Sequence, residues 1–256
     1  MISFSEIYNK RKHILVYLLN KSSNYFGYSF QQKGQGYFDA AVVVKNARKN
    51  KLTVCEYLES LGGADEGESG RRDFIIEALK PNLPHTIDRV LEIGTGTGMF
   101  MERIISIYHP KSYESYETNL GWVKYLKEEY GSLVNLINRN STGFDLDSTP
   151  SDSIDVVFSH GVFVYLPLIK SIGYLDEMIR VCRPGGRIVF DGFLSNKLGL
   201  KSLYTFKNAQ KYFPVIMPFD ILDEYVRVNN MTLIHSFDVN YHESLSTYFI
   251  LQKKLS

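Results

Sequence analysis

The stretch Val90-Leu-Glu-Ile-Gly-Thr-Gly-Thr-Gly-Met-Phe100 decides how the rest of the chain is read. An apolar run of strand length passes straight into three alternate glycines, Gly94, Gly96 and Gly98, and then into a helical period that begins at Met99. Glycines at this place remove the side chains that would hold a ligand away from the backbone at the carboxyl end of a strand. Amides at the start of the Met99 helix add partial positive charge, which suits a phosphate or a carboxylate. A dinucleotide fingerprint of the form G-x-G-x-x-G needs glycine or alanine where Met99 stands, so a nicotinamide-dependent oxidoreductase is disfavoured.

Outward from this turn, short apolar runs alternate with helical periods, the signature of βαβ units on a mostly parallel sheet. Seven strands are predicted, at 89–93, 112–117, 134–138, 154–159, 187–191, 232–238 and 246–252. Helices are expected at 99–108, 121–130 and 168–182, with a loop over 138–155 and the turn Arg183-Pro184-Gly185-Gly186 leading into the fifth strand. A last helix follows Pro218, with Leu222, Tyr225 and Val226 on one face. The final two strands are too close in sequence for a helical crossover, so they pair antiparallel.

Upstream, apolar spacing in Ile14, Tyr17, Leu18 and in Ala40, Val43, Val44, Ala47 predicts helices. Thr53-Val54-Cys55-Glu56 fits a capping box, and an acidic glycine-bearing loop, 64–70, precedes another helix from Arg71 to Pro81. This gives a helical cap over 1–70 and an α/β domain over 71–256, with a substrate-side insertion at about 192–217. Two aromatic-rich segments, 23–39 and 202–219, are candidate lids.

With 44% hydrophobic residues and 22% charged, the 256-residue chain can bury a full core. A net charge of +1 lacks the basic excess that binding nucleic acid needs. No apolar run reaches membrane-spanning length and no cleavage site follows the short apolar start, so a cytoplasmic location is expected. Cys55 and Cys182 have no second ligand at metal spacing, so no metal site is proposed and both are read as reduced thiols. His13, His85, His109 and His235 are read as scaffold.

The second predicted strand ends at Glu117, nineteen residues beyond Gly98, where a carboxylate can accept two hydrogen bonds from a ribose diol. Glu114 is expected to be the solvated acid of that strand. Thr118 and Trp122 follow and can line a base or a ribose, although Trp122 equally fits a core position. The fourth strand ends at Ser159-His160-Gly161. A histidine there can act as a general base, with ligand contact or loop packing as the alternative. His242, beside Tyr241 in the turn between the last strands, is the second candidate base, with a solvated loop histidine as the favoured alternative, and Asp191 at the end of the fifth strand can orient a hydroxyl or partner a base.

The glycine motif resembles the first motif of class I S-adenosylmethionine-dependent methyltransferases, and further segments match in order over roughly residues 70 to 252. The resemblance implies a Rossmann-like, seven-stranded, mostly parallel sheet with an antiparallel last strand, helices on both faces, and S-adenosylmethionine as cofactor. It assigns Glu92, Gly94, Gly96 and Gly98 to the methionine part, with Thr95 and Thr97 between them, and puts Ser159, His160 and Gly161 beside the donor. It also sets Thr142, Gly143 and Phe144 beside adenine, although Ser141 and Thr142 stand where such enzymes often carry an Asp. The overall look of the chain is similar to methyltransferases of bacterial surface-glycan pathways, which implies O-methylation of a small polar acceptor, a sugar or nucleotide-linked sugar. Methylation of a small amine, an oxidoreductase and a non-catalytic binding subunit are the competing readings, and a homodimer is among the assembly states left open.

Overall fold

A computed structural model describes residues 39–61, 68–139, 141, 143, 145–208, 215–241 and 244–255. Asp39 accepts the Val42 amide at 3.0 Å and so caps α1 (Ala40–Lys49). The expected capping box opens α2 (Val54–Leu61): the Thr53 amide donates to Glu56 Oε2 at 2.7 Å and the Glu56 amide to Thr53 Oγ1 at 3.2 Å. These two bonds satisfy helix-end amides reciprocally. α3 spans Glu68–Leu79, starting three residues before the expected position.

The sheet then unfolds as β1 (Arg89–Ile93), α4 (Met99–Tyr108), β2 (Ser112–Tyr116), α5 (Leu120–Tyr130), β3 (Asn135–Arg139), β4 (Ile154–Ser159), α6 (Leu168–Val181) and β5 (Cys182–Leu194). After it come α7 (Leu200–Asn208), a short β6 (Ile216–Met217), α8 (Phe219–Val228), β7 (Met231–Tyr241) and β8 (Ser244–Lys253). Strand order is β3-β2-β1-β4-β5-β8-β7, with β6 beside β5. The first five strands run parallel, while β8 pairs antiparallel with both β5 and β7. The expected architecture is therefore borne out, and β8 is the inverted strand.

Alternation along β1 explains the layering, because successive side chains point to opposite faces. Val90 joins a core with α1 to α5, whereas Leu91 and Ile93 join the opposite core with α6 and α8. Ala40, Val43, Ala47, Val54 and Leu58 are buried in the first of these cores, where α1 packs against α5 and α2 against α3.

Two expectations need correction. Residues 183–186 belong to β5, where a register shift opposite Ile154–Val156 accommodates the extra residues as an irregularity within the strand. Glu114 is buried, not solvated: it accepts from Arg139 Nε at 2.8 Å and Thr149 Oγ1 at 2.6 Å, partners supplied by the β2–β3 pairing and the following loop. Cys55 and Cys182 are both buried. Among the described residues no helix is long and apolar enough to cross a membrane. Ile14, Tyr17, Leu18, His13 and nearly all of the first aromatic-rich segment lie outside the described residues, as do 209–214 of the second.

Candidate active site

The helices that follow β1 and β4, two neighbouring parallel strands, leave on opposite faces of the sheet. The carboxyl ends of such strands open a crevice. A cleft of about 280 Å³ lies there. Gly94, Gly96 and Thr97 line it from the first turn, Glu117, Thr118 and Trp122 from the second, and His160 with Gly161 from the end of β4. Gly143 closes the third side.

Backbone geometry accounts for the glycines. Gly94 has φ +70° and a Cβ there would sit 2.4 Å from Val162 Cγ2, so a side chain is excluded by conformation and by space. Gly96 has φ +51°, yet a Cβ would meet only Gly94 O at 3.8 Å, leaving its main chain bare along the cleft. Gly98 serves packing instead: it sits outside the lining, and a Cβ would lie 2.8 Å from Leu126 Cδ2.

Glu117 ties two loops together. Its Oε2 accepts the Gly96 amide at 2.8 Å and its Oε1 the Asn119 amide at 2.7 Å. Asn119 in turn caps α5 by accepting from Gly121 and Trp122. An ionised carboxylate offers about four acceptor directions, so two remain for a ligand diol. Trp122 fills both roles left open by the sequence, since it lines the cleft and belongs to a buried core.

Other expected ligands sit elsewhere. Glu92 is buried outside the cleft lining and accepts the Tyr113 hydroxyl at 2.6 Å. Burial pushes its carboxyl up to about 8; the Tyr113 bond opposes this and the charge of Glu117 adds to it. Thr95 is likewise buried, its hydroxyl shared with Ser115 at 2.8 Å. Ser159 is fully buried at the end of β4 and does not line the cleft. Thr142, Phe144 and His242 lie outside the described residues.

A second chamber of about 170 Å³ shares His160, Gly161 and Tyr165 with the cleft. His160 Nδ1 hydrogen-bonds the Tyr248 hydroxyl, and its ring lies 4.5 Å from that of Phe100, which fixes the imidazole at the junction. Burial, with the charge of Asp191, drives the Tyr248 hydroxyl far above the usual phenol range, while Arg71 pulls it back. Asp191 bridges two elements: Oδ1 accepts the Gly161 amide at 2.7 Å and Oδ2 the Ser246 hydroxyl at 2.7 Å. Tyr248, Ser246 and Arg71 escape sequence reading because two come from β8 and one from α3. The pairing of Asp191 with Tyr248 across β5 and β8 is the register that brings the first two in.

Residues 91–190 match the family model described as a methyltransferase domain. Over that segment the chain is similar to a methyltransferase domain. Two relatives are similar over parts of the sequence. "Malonyl-[acyl-carrier protein] O-methyltransferase 2" of Ilyobacter polytropus is 30% identical over 105 residues, 41% of this chain and 39% of that protein. "Malonyl-[acyl-carrier protein] O-methyltransferase" of a Marinomonas species is 25% identical over 166 residues, 63% of this chain and 60% of that one. The chain thus spans about two fifths to three fifths of these relatives' lengths. Among solved structures, a SAM-dependent methyltransferase of Methanosarcina mazei superposes with TM-score 0.56 at 16% identity, covering 70% of this chain and 98% of that one. Geranyl diphosphate C-methyltransferase of Streptomyces coelicolor, solved with Mg²⁺, geranyl diphosphate and S-adenosyl-L-homocysteine, gives 0.57 at 10% identity over 73% and 80%. Both structures support the methyltransferase-domain fold, in agreement with the class I architecture expected from the glycine motif.

Proposed function

We propose that this methyltransferase domain binds S-adenosylmethionine in the larger cleft and transfers its methyl group to an oxygen of a small acceptor held in the adjoining chamber. The observation that carries this reading is the meeting of the two cavities at His160 and Gly161. The residues fit the cofactor: Gly96, Gly143 and Gly161 leave bare backbone along the cleft, and Glu117 retains acceptor capacity for a diol. When bound, the cofactor supplies an electrophilic methyl on a sulfonium.

The chain's own groups do the rest. Gly94, Gly96 and Thr97 hold the amino-acid end, Glu117 the ribose, and Thr118 with Trp122 the nucleoside side. Gly161, fixed by Asp191, keeps the β4 end in place, so the acceptor is aligned rather than searching. For His160 to take a proton at Nε2, Nδ1 carries the hydrogen and donates it to the Tyr248 oxygen. That tautomer makes a hydroxyl acceptor chemically reachable. A sugar or nucleotide-linked sugar falls within this reading. The names of the two curated relatives add support for oxygen as the methylated atom.

The test is titration of the purified protein with S-adenosylhomocysteine and with NADH, followed by incubation with labelled donor and an acceptor panel scored by mass. Binding of the first and not the second is expected. In a His160→Ala variant, turnover of a hydroxyl acceptor falls about 10²- to 10⁴-fold. Turnover left nearly intact would point to an amine acceptor, and affinity for NADH alone would overturn the reading.

A further inference from the structure

We propose that the chamber bounded by α3, β5 and β8 is a recognition site for a carboxylate on a short apolar body, with Arg71 selecting the charge. The inference rests on the adjoining cleft being the donor site. At about 170 Å³ the chamber is smaller than the roughly 300 Å³ at which drug-sized pockets begin, so it admits a small acceptor or the end of a longer one. Part of its wall is apolar, made by Ile75, Met99, Phe100, Val164, Phe193 and Val239. A short alkyl or aryl body can pack against these side chains while the polar lining meets the group at its end.

Four groups able to carry charge face this space: Arg71, Arg72, Asp191 and His160. Arg72 is committed outward, through Nε to Asp73 at 3.3 Å and through a terminal nitrogen to Glu102 at 3.2 Å. Asp191 is committed to Gly161 and Ser246, and His160 to Tyr248. Arg71 lines the chamber, and its positive charge acts on the Tyr248 hydroxyl, the partner of His160, in opposition to that of Asp191. A guanidinium has five N–H donors in a planar fork, so it can keep an existing contact and still grip a carboxylate with two parallel bonds. A planar carboxylate matches that fork, and a chamber of about 170 Å³ suits it better than a bulkier phosphate.

The experiment titrates butyrate, butyramide and butyl phosphate into the protein, with and without S-adenosylhomocysteine, by calorimetry. We expect butyrate to bind about tenfold to a hundredfold more tightly than butyramide, the range of a charge-assisted hydrogen bond. That preference disappears in Arg71→Gln and is partly restored in Arg71→Lys, which keeps the charge and loses the fork. Affinity for S-adenosylhomocysteine, whose cleft Arg71 does not line, serves as the folding control. Equal binding of acid and amide by the unaltered protein, a preference that survives Arg71→Gln, or stronger binding of butyl phosphate would each overturn the proposal. Failure to bind S-adenosylhomocysteine would instead defeat the donor-site reading. The butyrate arm without it still reads the chamber, because protein atoms alone form that cavity.

Discussion

Replacing Asp191 by alanine removes a carboxylate on which two donors converge, the Gly161 amide at 2.7 Å and the Ser246 hydroxyl at 2.7 Å. Asp191 is 3% exposed and Ser246 5%, so neither bond is easily replaced by bulk water. A donor left unsatisfied in such a place costs about 1–3 kcal/mol, and two of them give about 2–6 kcal/mol for Asp191→Ala. Asp191→Asn is much milder. The amide oxygen still accepts from Gly161, and the serine hydroxyl can rotate to accept from the new N–H, so about 1–2 kcal/mol is lost with the charge. Urea unfolding monitored by tyrosine and tryptophan signals, with linear extrapolation, resolves these values. Ser246→Ala alone should cost about 1 kcal/mol and almost nothing on top of Asp191→Ala, a coupling that a double-mutant cycle reads directly. If alanine and asparagine are equally damaging, or if the cycle shows no coupling, the bridging role assigned to this carboxylate is wrong.

Three further outcomes are expected. Glu117→Gln should weaken S-adenosylhomocysteine by about tenfold to a hundredfold in calorimetry, because the Gly96 amide and, in the proposed binding mode, the ribose both lose a charged acceptor. Glu92 holds its proton in the folded state up to about 8, against 4.5 ordinarily, so the fold binds more protons than the unfolded chain between those values. Stability should fall as pH rises across that window, and Glu92→Gln should flatten the decline in a pH series of urea melts. Gly94→Ala forces a side chain onto φ +70° and within 2.4 Å of Val162. A loss of about 2–4 kcal/mol in unfolding free energy is expected, along with weaker cofactor binding.

The proposed donor half of the site is legible in the sequence because it is local. One glycine turn and one acid at the next strand end are short patterns, and the chain needs only a parallel strand pair to bring Gly96 and Glu117 to hydrogen-bonding distance. Glu114 is misread for the opposite reason: its burial comes from Arg139 and Thr149, partners fixed by register with β3 and by the loop after it. Glu92 fits the family's acidic position by spacing, but its side chain alternates onto the face where Tyr113 waits. The acceptor half is spread over α3, α4, β5 and β8, so no window of sequence contains it. Asp191 and His160 stand out on their own, whereas Tyr248 becomes meaningful only once β8 is inverted beside β5.

That inversion carries a consequence for assembly on the ribosome. The strands supplying the glycine turn and Glu117 can pair with each other while later segments are still being translated. Tyr248 and Ser246 emerge after every other strand of the sheet and must slot between β5 and β7. In a nascent chain the glycine turn and Glu117 of the proposed donor cleft can therefore come together first, and the wall beside the imidazole last.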